Sequence, residues 1–424
     1  LDSSLDDDLG LDSLARVELI SRIEHHFNVT LPQRDFAEAE SPRDLLRSII
    51  NSQGHTKTFP AIQVIERAVG KVGELPHHAS TLVEVLEWHV QNNPERLHID
   101  ILGDDAEVQN LTYRQLWQGA QQVAAGLQQS GIQSGETVAI MLPTGRDYFF
   151  SFFGILLTGA VPVPIYPPVR RSQLEDHLHR HSGILNNCVA TLLITMTEAK
   201  AVARLLKSQV LSLREVVTLN DLRSVSAPYV RPPISPDDIV FLQYTSGSTG
   251  NPKGVMTSFK AMHTTGRGIS EYLGSHSGDR MLSYLPMSHS FERWIGECQS
   301  LYAGVHLFFA DALETFIQDL QRARPTLFIS VPRLWLKFQL GVFQKMPPQK
   351  LERLLKIPIL KGIVKKKVLT GLGLNHVRFA GSGSAPIPKE VIEWYRNLGL
   401  ELLEGYGMTE NGSYSHVSKP GQVR

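Results

Sequence analysis

The first apolar positions along the chain recur at helical spacing. Leu14, Val17, Ile20, Ile23 and Phe27 fall three or four residues apart, with Ser13 at the N-terminal edge of the stripe. A second, shorter helix is expected from Pro42 to Ile50, with Ser41 as its cap. Between Asn51 and about Ser80 the periodicity fades into Gly, His, Pro and polar residues, except around Ile62 to Ala68, and the stretch reads as a linker. From Thr81 onward helix-period and strand-like runs alternate. Thr112 and Gln115 suggest a capping box ahead of the stripe Tyr113, Leu116, Ala120, Val123 and Leu127, which Gly131 ends. Strand-like runs occur at Thr137 to Leu142, Thr191 to Ile194, Ile239 to Tyr244, Met281 to Leu285, His306 to Ala310, Thr326 to Val331 and Val377 to Ala380. Mostly helix-like stretches separate them, which predicts an α/β fold built on a doubly wound sheet. The long apolar run from Tyr148 to Tyr166 approaches the ~20 residues of a membrane span. Gly154, Gly159, Pro162 and Pro164 interrupt it, so a buried helix followed by a short extended segment is expected instead.

Composition narrows the function classes. A chain of 424 residues suits two or three domains. Its 42 Lys and Arg balance 42 Asp and Glu, so it lacks the positive field of a nucleic-acid binder, and any electrostatic specialisation is local. One such place is the start, where Asp2, Asp6, Asp7, Asp8 and Asp12 precede the first basic residue, Arg16. The two cysteines, Cys188 and Cys298, are far apart and in no CxxC spacing, which argues against a disulfide scaffold or zinc site and for a reducing, cytoplasmic setting. The chain opens on Leu1 with no secretory signal in view, and the expectation is a fragment.

Four unusual segments each follow an expected strand: Thr245 to Gly254 (TSGSTGNPKG), Pro286 to Arg293 (PMSHSFER), Gly381 to Pro386 (GSGSAP) and Gly405 to Glu410 (GYGMTE). Ligands of open α/β sheets bind beyond the carboxyl ends of the strands, so the four are expected to converge on one crevice. The first is rich in small and hydroxyl residues whose backbone amides can approach phosphate oxygens, and it ends on the cation Lys253. It is not a Walker A loop, because Pro252 and Gly254 stand where that motif needs Gly and Ser or Thr.

YTSGSTGNPKGV, from Tyr244 to Val255, resembles the phosphate-binding signature of the adenylate-forming superfamily, and YLPMSHSFERW with VPRLW is similar to its long-chain fatty acyl-CoA ligase branch. The resemblance covers roughly Thr81 to Arg424. It implies the large N-terminal core of an adenylate-forming enzyme, with mixed α/β sheets and helices on both faces, lacking the small C-terminal subdomain. It also implies that Thr245, Ser246, Gly247, Ser248, Thr249, Gly250 and Lys253 hold the β- and γ-phosphates of ATP. In GYGMTE, which begins Gly405-Tyr406-Gly407, Tyr406 would stack on adenine, Thr409 would touch the α-phosphate and Glu410 would hold Mg²⁺. Gly383, Ser384, Ala385 and Pro386 would line the adenine and acyl pocket, with Ser384 standing where many relatives have glycine. His289 matches a position near the acyl-adenylate and the thiol entrance, and a structural role for it stays equally open; Glu292 and Arg293 receive no chemical role. A TGD aspartate, a hinge and a C-terminal lysine domain, all present in relatives, have no match before Arg424, so nucleotide binding is expected of this chain more than full turnover.

DDLGLDSL, from Asp7 to Leu14, resembles the attachment motif of acyl carrier proteins, in which the serine, here Ser13, receives 4′-phosphopantetheine. A serine at a helix start is exposed, and flanking aspartates offer an acidic docking face to a phosphopantetheinyl transferase. The domains expected are therefore a partial helical carrier domain at 1–50 without its first helix, a linker at 51–80 and an adenylation domain at 81–424.

The chemistry is consistent with this division. A carboxylate does not react with a thiol at neutral pH, and conversion to a mixed anhydride with AMP supplies a leaving group, while cations neutralise the developing oxyanions. The expected function is an acid–thiol ligase that activates a fatty acid with ATP and Mg²⁺ and passes it to coenzyme A, as a long-chain fatty acyl-CoA ligase. Alternatives are a fatty acyl-AMP ligase that loads the arm on Ser13 and an inactive nucleotide- or acyl-binding scaffold. A basic cluster, Lys361, Lys365, Lys366 and Lys367, interleaved with apolar residues, reads as a solvated helix face or a weak peripheral membrane contact.

Overall fold

A computed structural model describes residues 41–51, 74–103, 108–167, 174–245, 253–312 and 315–422, with positions 19, 23 and 39. The expected helix after Ser13 and most of the 51–80 linker lie outside the described residues, although Leu19 and Ile23 are helical. The second expected helix is α1, Pro42–Asn51. At its start the Asp44 carboxylate reaches back to accept from both the amide (3.0 Å) and the hydroxyl (2.7 Å) of Ser41.

From residue 74 onward the described residues form three sheets rather than one doubly wound sheet. The largest has eight strands. Its interior strands are β1 (Leu97–Leu102), β9 (Arg280–Ser283), β10 (His306–Phe309), β11 (Leu327–Ser330), β12 (Phe379–Ser382) and β13 (Leu402–Tyr406), and its edges are β2 (Val108–Thr112) and β14 (His416–Val417). They lie in the order β14-β13-β12-β11-β9-β10-β1-β2. The six interior strands run parallel, and the two edges pair antiparallel. A second, wholly parallel sheet orders β4 (Val161–Pro164), β3 (Thr137–Met141), β5 (Leu192–Thr195) and β6 (Glu215–Val217). The third is an antiparallel hairpin of β7 (Ile239–Thr245) and β8 (Lys253–Ser258). Strands such as LLIT and HLFF are buried along their whole length, as expected of parallel strands covered on both faces. The division into separate sheets is invisible in those continuous apolar runs, because each looks the same whichever strand it pairs with.

Helices bind the sheets together. Helix α2 spans Leu82–Asn92, and α3 spans Tyr113–Gln129 with the expected reciprocal cap between Thr112 and Gln115. The apolar run divides as anticipated into a buried helix, α4 (Arg146–Leu157), and strand β4. Among the described residues no helix is long and apolar enough to cross a membrane. Helices α3 and α4 approach closely because Gly154 lies against Val123, whose side chain would be 2.7 Å from a Cβ there. The last expected strand starts two residues late, at Phe379, because Val377 is taken up in a turn whose amide donates to the Leu374 carbonyl (3.1 Å).

Candidate functional site

Three of the four unusual segments leave the same edge of the large sheet. PMSHSFER follows β9, GSGSAP begins within the last residues of β12, and GYGMTE begins within β13. Since β9, β11, β12 and β13 run parallel and adjacent, their carboxyl ends lie side by side. Gly383 lies beside Gly405, whose carbonyl would be 3.3 Å from a Cβ at 383. The Ile387 amide donates to the Glu404 carboxylate (3.2 Å), joining the loop after β12 to strand β13. Trp335, from VPRLW after β11, is buried and donates its indole N–H to the Gly381 carbonyl (3.1 Å), bracing GSGSAP from beneath.

Within these loops, Ser384, Ala385 and Pro386 are exposed, and Ser384 has φ +69°. That left-handed backbone favours glycine and is uncommon for other residues. It gives a conformational reason why glycine suits the position. Tyr406 is exposed and packs obliquely near His416, with ring centroids 6.2 Å apart. Thr409 is half-buried and Glu410 exposed, at the start of a single 3₁₀ turn. Just beyond it, Gly412 (φ +66°) lies against the Trp294 ring, which ties the end of this loop to the FERW segment.

The first segment does not arise from the large sheet. Its ends, Thr245 and Lys253, face each other as the last pair of the β7–β8 hairpin. Ser246, Gly247, Ser248, Thr249 and Gly250 lie outside the described residues. Lys253 is exposed. Two residues before Thr245, the buried Gln243 donates its side-chain amide to the Ser288 carbonyl, linking this hairpin directly to PMSHSFER.

Residues without an assigned role on sequence alone organise that second segment. Glu292 is fully buried at the start of a π-helix, Glu292–Gln299, and accepts from the Ser283 hydroxyl (2.6 Å) and the Leu285 amide (3.1 Å). It therefore fixes the path of the chain leaving β9. Arg293, also fully buried, pairs with Glu297, donates to the Met287 carbonyl (2.8 Å) and to the Tyr148 hydroxyl, and lies over the Phe152 ring (4.3 Å). An isolated buried guanidinium is costly, and these acceptors compensate it. The 286–291 turn is thus held from below by Arg293 and from the side by Gln243. It presents His289, whose Nδ1 accepts the Phe291 amide (3.2 Å), leaving the proton of the neutral imidazole on Nε2. Burial holds this imidazole below its ordinary value, so it is neutral near pH 7. Nothing in the polar-rich run PMSHSFERWIGECQS marks Glu292 and Arg293 as buried; only the fold shows it, and burial turns their charge into a cost that partners offset.

Residues 86–424 match the model of the family described as AMP-binding enzyme. The chain belongs to the AMP-binding enzyme family. In addition, residues 1–49 of this AMP-binding enzyme match the model described as phosphopantetheine attachment site. It is similar to 4-coumarate–CoA ligase 1 of Petroselinum crispum, 28% identical over 317 residues, covering 72% of this chain and 53% of the relative. It is similar too to long chain acyl-CoA synthetase 5 of Arabidopsis thaliana, 31% identical over 222 residues, 46% of this chain and 33% of the relative. The chain thus spans about half or less of the length of these relatives. Among solved structures it shares the fold of the fatty acid AMP ligase from Legionella pneumophila, with a TM-score of 0.65 at 22% identity over 82% of this chain and 58% of that one.

Acid stability of this AMP-binding enzyme reflects groups of opposite sign. Burial pushes His89 down to about 4 and His98 to about 3, whereas the unfolded chain protonates them near 6.5. Their contribution to stability is present above 6.5 and is lost as pH falls towards those values. Burial pushes Glu292 up to about 7 from 4.5, so between those values the folded chain keeps a proton that the unfolded chain has released. That contribution grows as pH falls. Glu292→Gln removes it, and from pH 7 to pH 5 the variant is expected to lose roughly 2 kcal/mol more stability than the parent. Denaturant midpoints at the two pH values measure this; parallel profiles would mean that Glu292 is ionised in the folded chain.

Proposed function

We propose that this chain carries the nucleotide-handling core of an ATP-dependent acid–thiol ligase, one that activates a fatty acid as acyl-AMP and transfers it to coenzyme A. The observation that carries the reading is the shared edge of the sheet from which PMSHSFER, GSGSAP and GYGMTE emerge, with TSGSTGNPKG linked to it through Gln243 and Ser288. A carboxylate oxygen of the acid attacks the α-phosphorus of ATP and pyrophosphate leaves; a thiol then attacks the acyl carbon and AMP leaves. Lys253, at the mouth of the hairpin, is suited to neutralise the departing pyrophosphate, and Thr409 to orient the α-phosphate. His289, a neutral imidazole with its proton on Nε2, is suited to act as a positioning donor near the acyl-adenylate. Tyr406 offers an exposed ring for adenine to stack on, and Gly383, Ser384, Ala385 and Pro386, with Gly405 and Gly407, form the adjoining wall.

Mg²⁺ suits this donor set. Among the described residues no group of three His, Cys, Asp or Glu could hold a metal, but Mg²⁺ typically uses one or two carboxylates together with substrate phosphates and water. Glu410 would hold it, and when bound it would neutralise charge on the phosphate oxygens.

A second acceptor is favoured by the match over residues 1–49: a 4′-phosphopantetheine arm on Ser13, placed there by a phosphopantetheinyl transferase, in a domain arrangement of carrier (1–50), linker (51–80) and adenylation core (81–424). Calorimetry with a non-hydrolysable ATP analogue and Mg²⁺ tests the first reading. Binding that tightens when a fatty acid is added supports it, and absence of nucleotide binding sinks it. The acceptor is then decided by offering coenzyme A and the pantetheine-bearing chain together and finding by mass spectrometry which thiol carries the acyl group.

A further inference from the structure

Positive charge is concentrated in one place. The stretch from Pro332 to Gly371 holds ten Lys and Arg against a single acid, Glu352, in a chain whose total charge is zero. It folds into three consecutive helices, Pro332–Lys345, Pro348–Lys356 and Pro358–Gly371. The third has no buried residue, although half of its sequence is aliphatic or small. Ile359 is 83% exposed and Ile363, one turn further on, 62% exposed, with Ile357 also exposed at the corner between the second and third helices. Lys366 continues the same side of the helix, three residues beyond Ile363. On the first helix Leu336 and Leu340, again one turn apart, are exposed towards the third. Between the two helices lies a cavity of about 1320 Å³ lined by Leu336, Leu340, Val364, Val368, Lys337 and Lys367 among others, and by none of the four motif segments.

Leaving a large aliphatic side chain in water forgoes the gain of burying it. A cluster of them ringed by lysines has a particular match. Isoleucines enter the boundary of the acyl chains while ammonium groups, on long apolar stems, stay level with phosphates. An acidic protein would satisfy the lysines without accounting for the isoleucine corner. We propose that the Pro332–Gly371 helices form a docking surface for an anionic lipid bilayer, with Ile357, Ile359 and Ile363 as the inserting edge and Lys361, Lys366 and Lys367 as headgroup contacts. The first of these helices begins at the end of β11, on the edge of the sheet that bears the motif loops, and Trp335 bonds to Gly381 there. Docking would therefore bring the candidate site close to a membrane, which suits an amphiphilic substrate. The docking itself does not depend on the proposed activity.

Co-sedimentation of the full 424-residue chain with vesicles of phosphatidylcholine, alone or mixed with phosphatidylserine, tests this directly. Partitioning is expected to be at least roughly tenfold stronger on the mixed vesicles and to weaken with salt. The pair Lys366→Glu and Lys367→Glu is expected to weaken it by more than about tenfold, because each lysine near the surface counts for about fivefold. Ile359→Ser with Ile363→Ser weakens it by about as much, and because both sites are exposed the melting temperature should stay put. Equal partitioning on neutral and anionic vesicles, or none on either, overturns the proposal. So does an isoleucine variant that binds vesicles like the parent but sediments as a smaller species, which would assign this face to a second copy of the chain.

Discussion

Lys253→Ala is expected to slow acyl-AMP formation by roughly 10²–10³-fold, the usual loss when one preorganised charge-stabilising donor is removed. The geometry makes the substitution informative. Lys253 is the first residue of β8, paired across the hairpin with Thr245, and it is exposed, so its removal disturbs no core packing. Next to it, Gly254 faces the Tyr244 ring, 2.9 Å from where a Cβ would stand, which keeps the hairpin end close-packed without help from the lysine. Fatty-acid-dependent pyrophosphate exchange, in a chain continued to the length of its relatives, reads the rate, and calorimetry on the present chain reads nucleotide affinity. Glu410→Gln is expected to slow the same step and also to raise the Mg²⁺ concentration needed for nucleotide binding. Unchanged exchange in Lys253→Ala, with an unchanged Mg²⁺ requirement in Glu410→Gln, would remove both residues from the proposed site.

Ser13→Ala is expected to abolish covalent attachment of 4′-phosphopantetheine altogether. The parent chain, incubated with coenzyme A and a phosphopantetheinyl transferase, should gain the mass of a single arm, and the variant none. The effect should be all-or-none because, in the proposed attachment, the serine oxygen is itself the nucleophile of the transfer, and the adjacent Asp12 and Leu14 carry no hydroxyl to replace it. Ser3 and Ser4, the nearest other hydroxyls on the N-terminal side, stand outside the DDLGLDSL pattern and provide the internal control. A mass gain that persists in Ser13→Ala would move the attachment elsewhere. Loss of the arm without loss of acyl transfer to coenzyme A would assign free coenzyme A as acceptor.

Several parts of this molecule were legible from local pattern. The cap at Thr112 and Gln115, the helix-then-strand division of Tyr148 to Tyr166 and the placement of three motif segments after β9, β12 and β13 follow from rules that act over a few residues. Period, capping chemistry and turn residues are local, so the sequence states them openly.

Other features required the tertiary structure. Which strand pairs with which, and hence that TSGSTGNPKG belongs to a separate hairpin, depends on contacts between segments far apart in sequence. The same holds for Gln243 and Arg293, whose partners Ser288 and Tyr148 lie 45 and 145 residues away. A polar residue in an apolar stretch announces a cost to be offset, but only folding reveals the group that offsets it. Likewise the ten-to-one excess of basic over acidic residues from 332 to 371 could be counted in the sequence, whereas the exposure of Ile359 and Ile363 among those lysines could not. Composition and short-range order were thus determined by the chain itself. The meeting of distant groups, and which faces remain open to water, were decided by the fold, because burial is a property of the whole molecule.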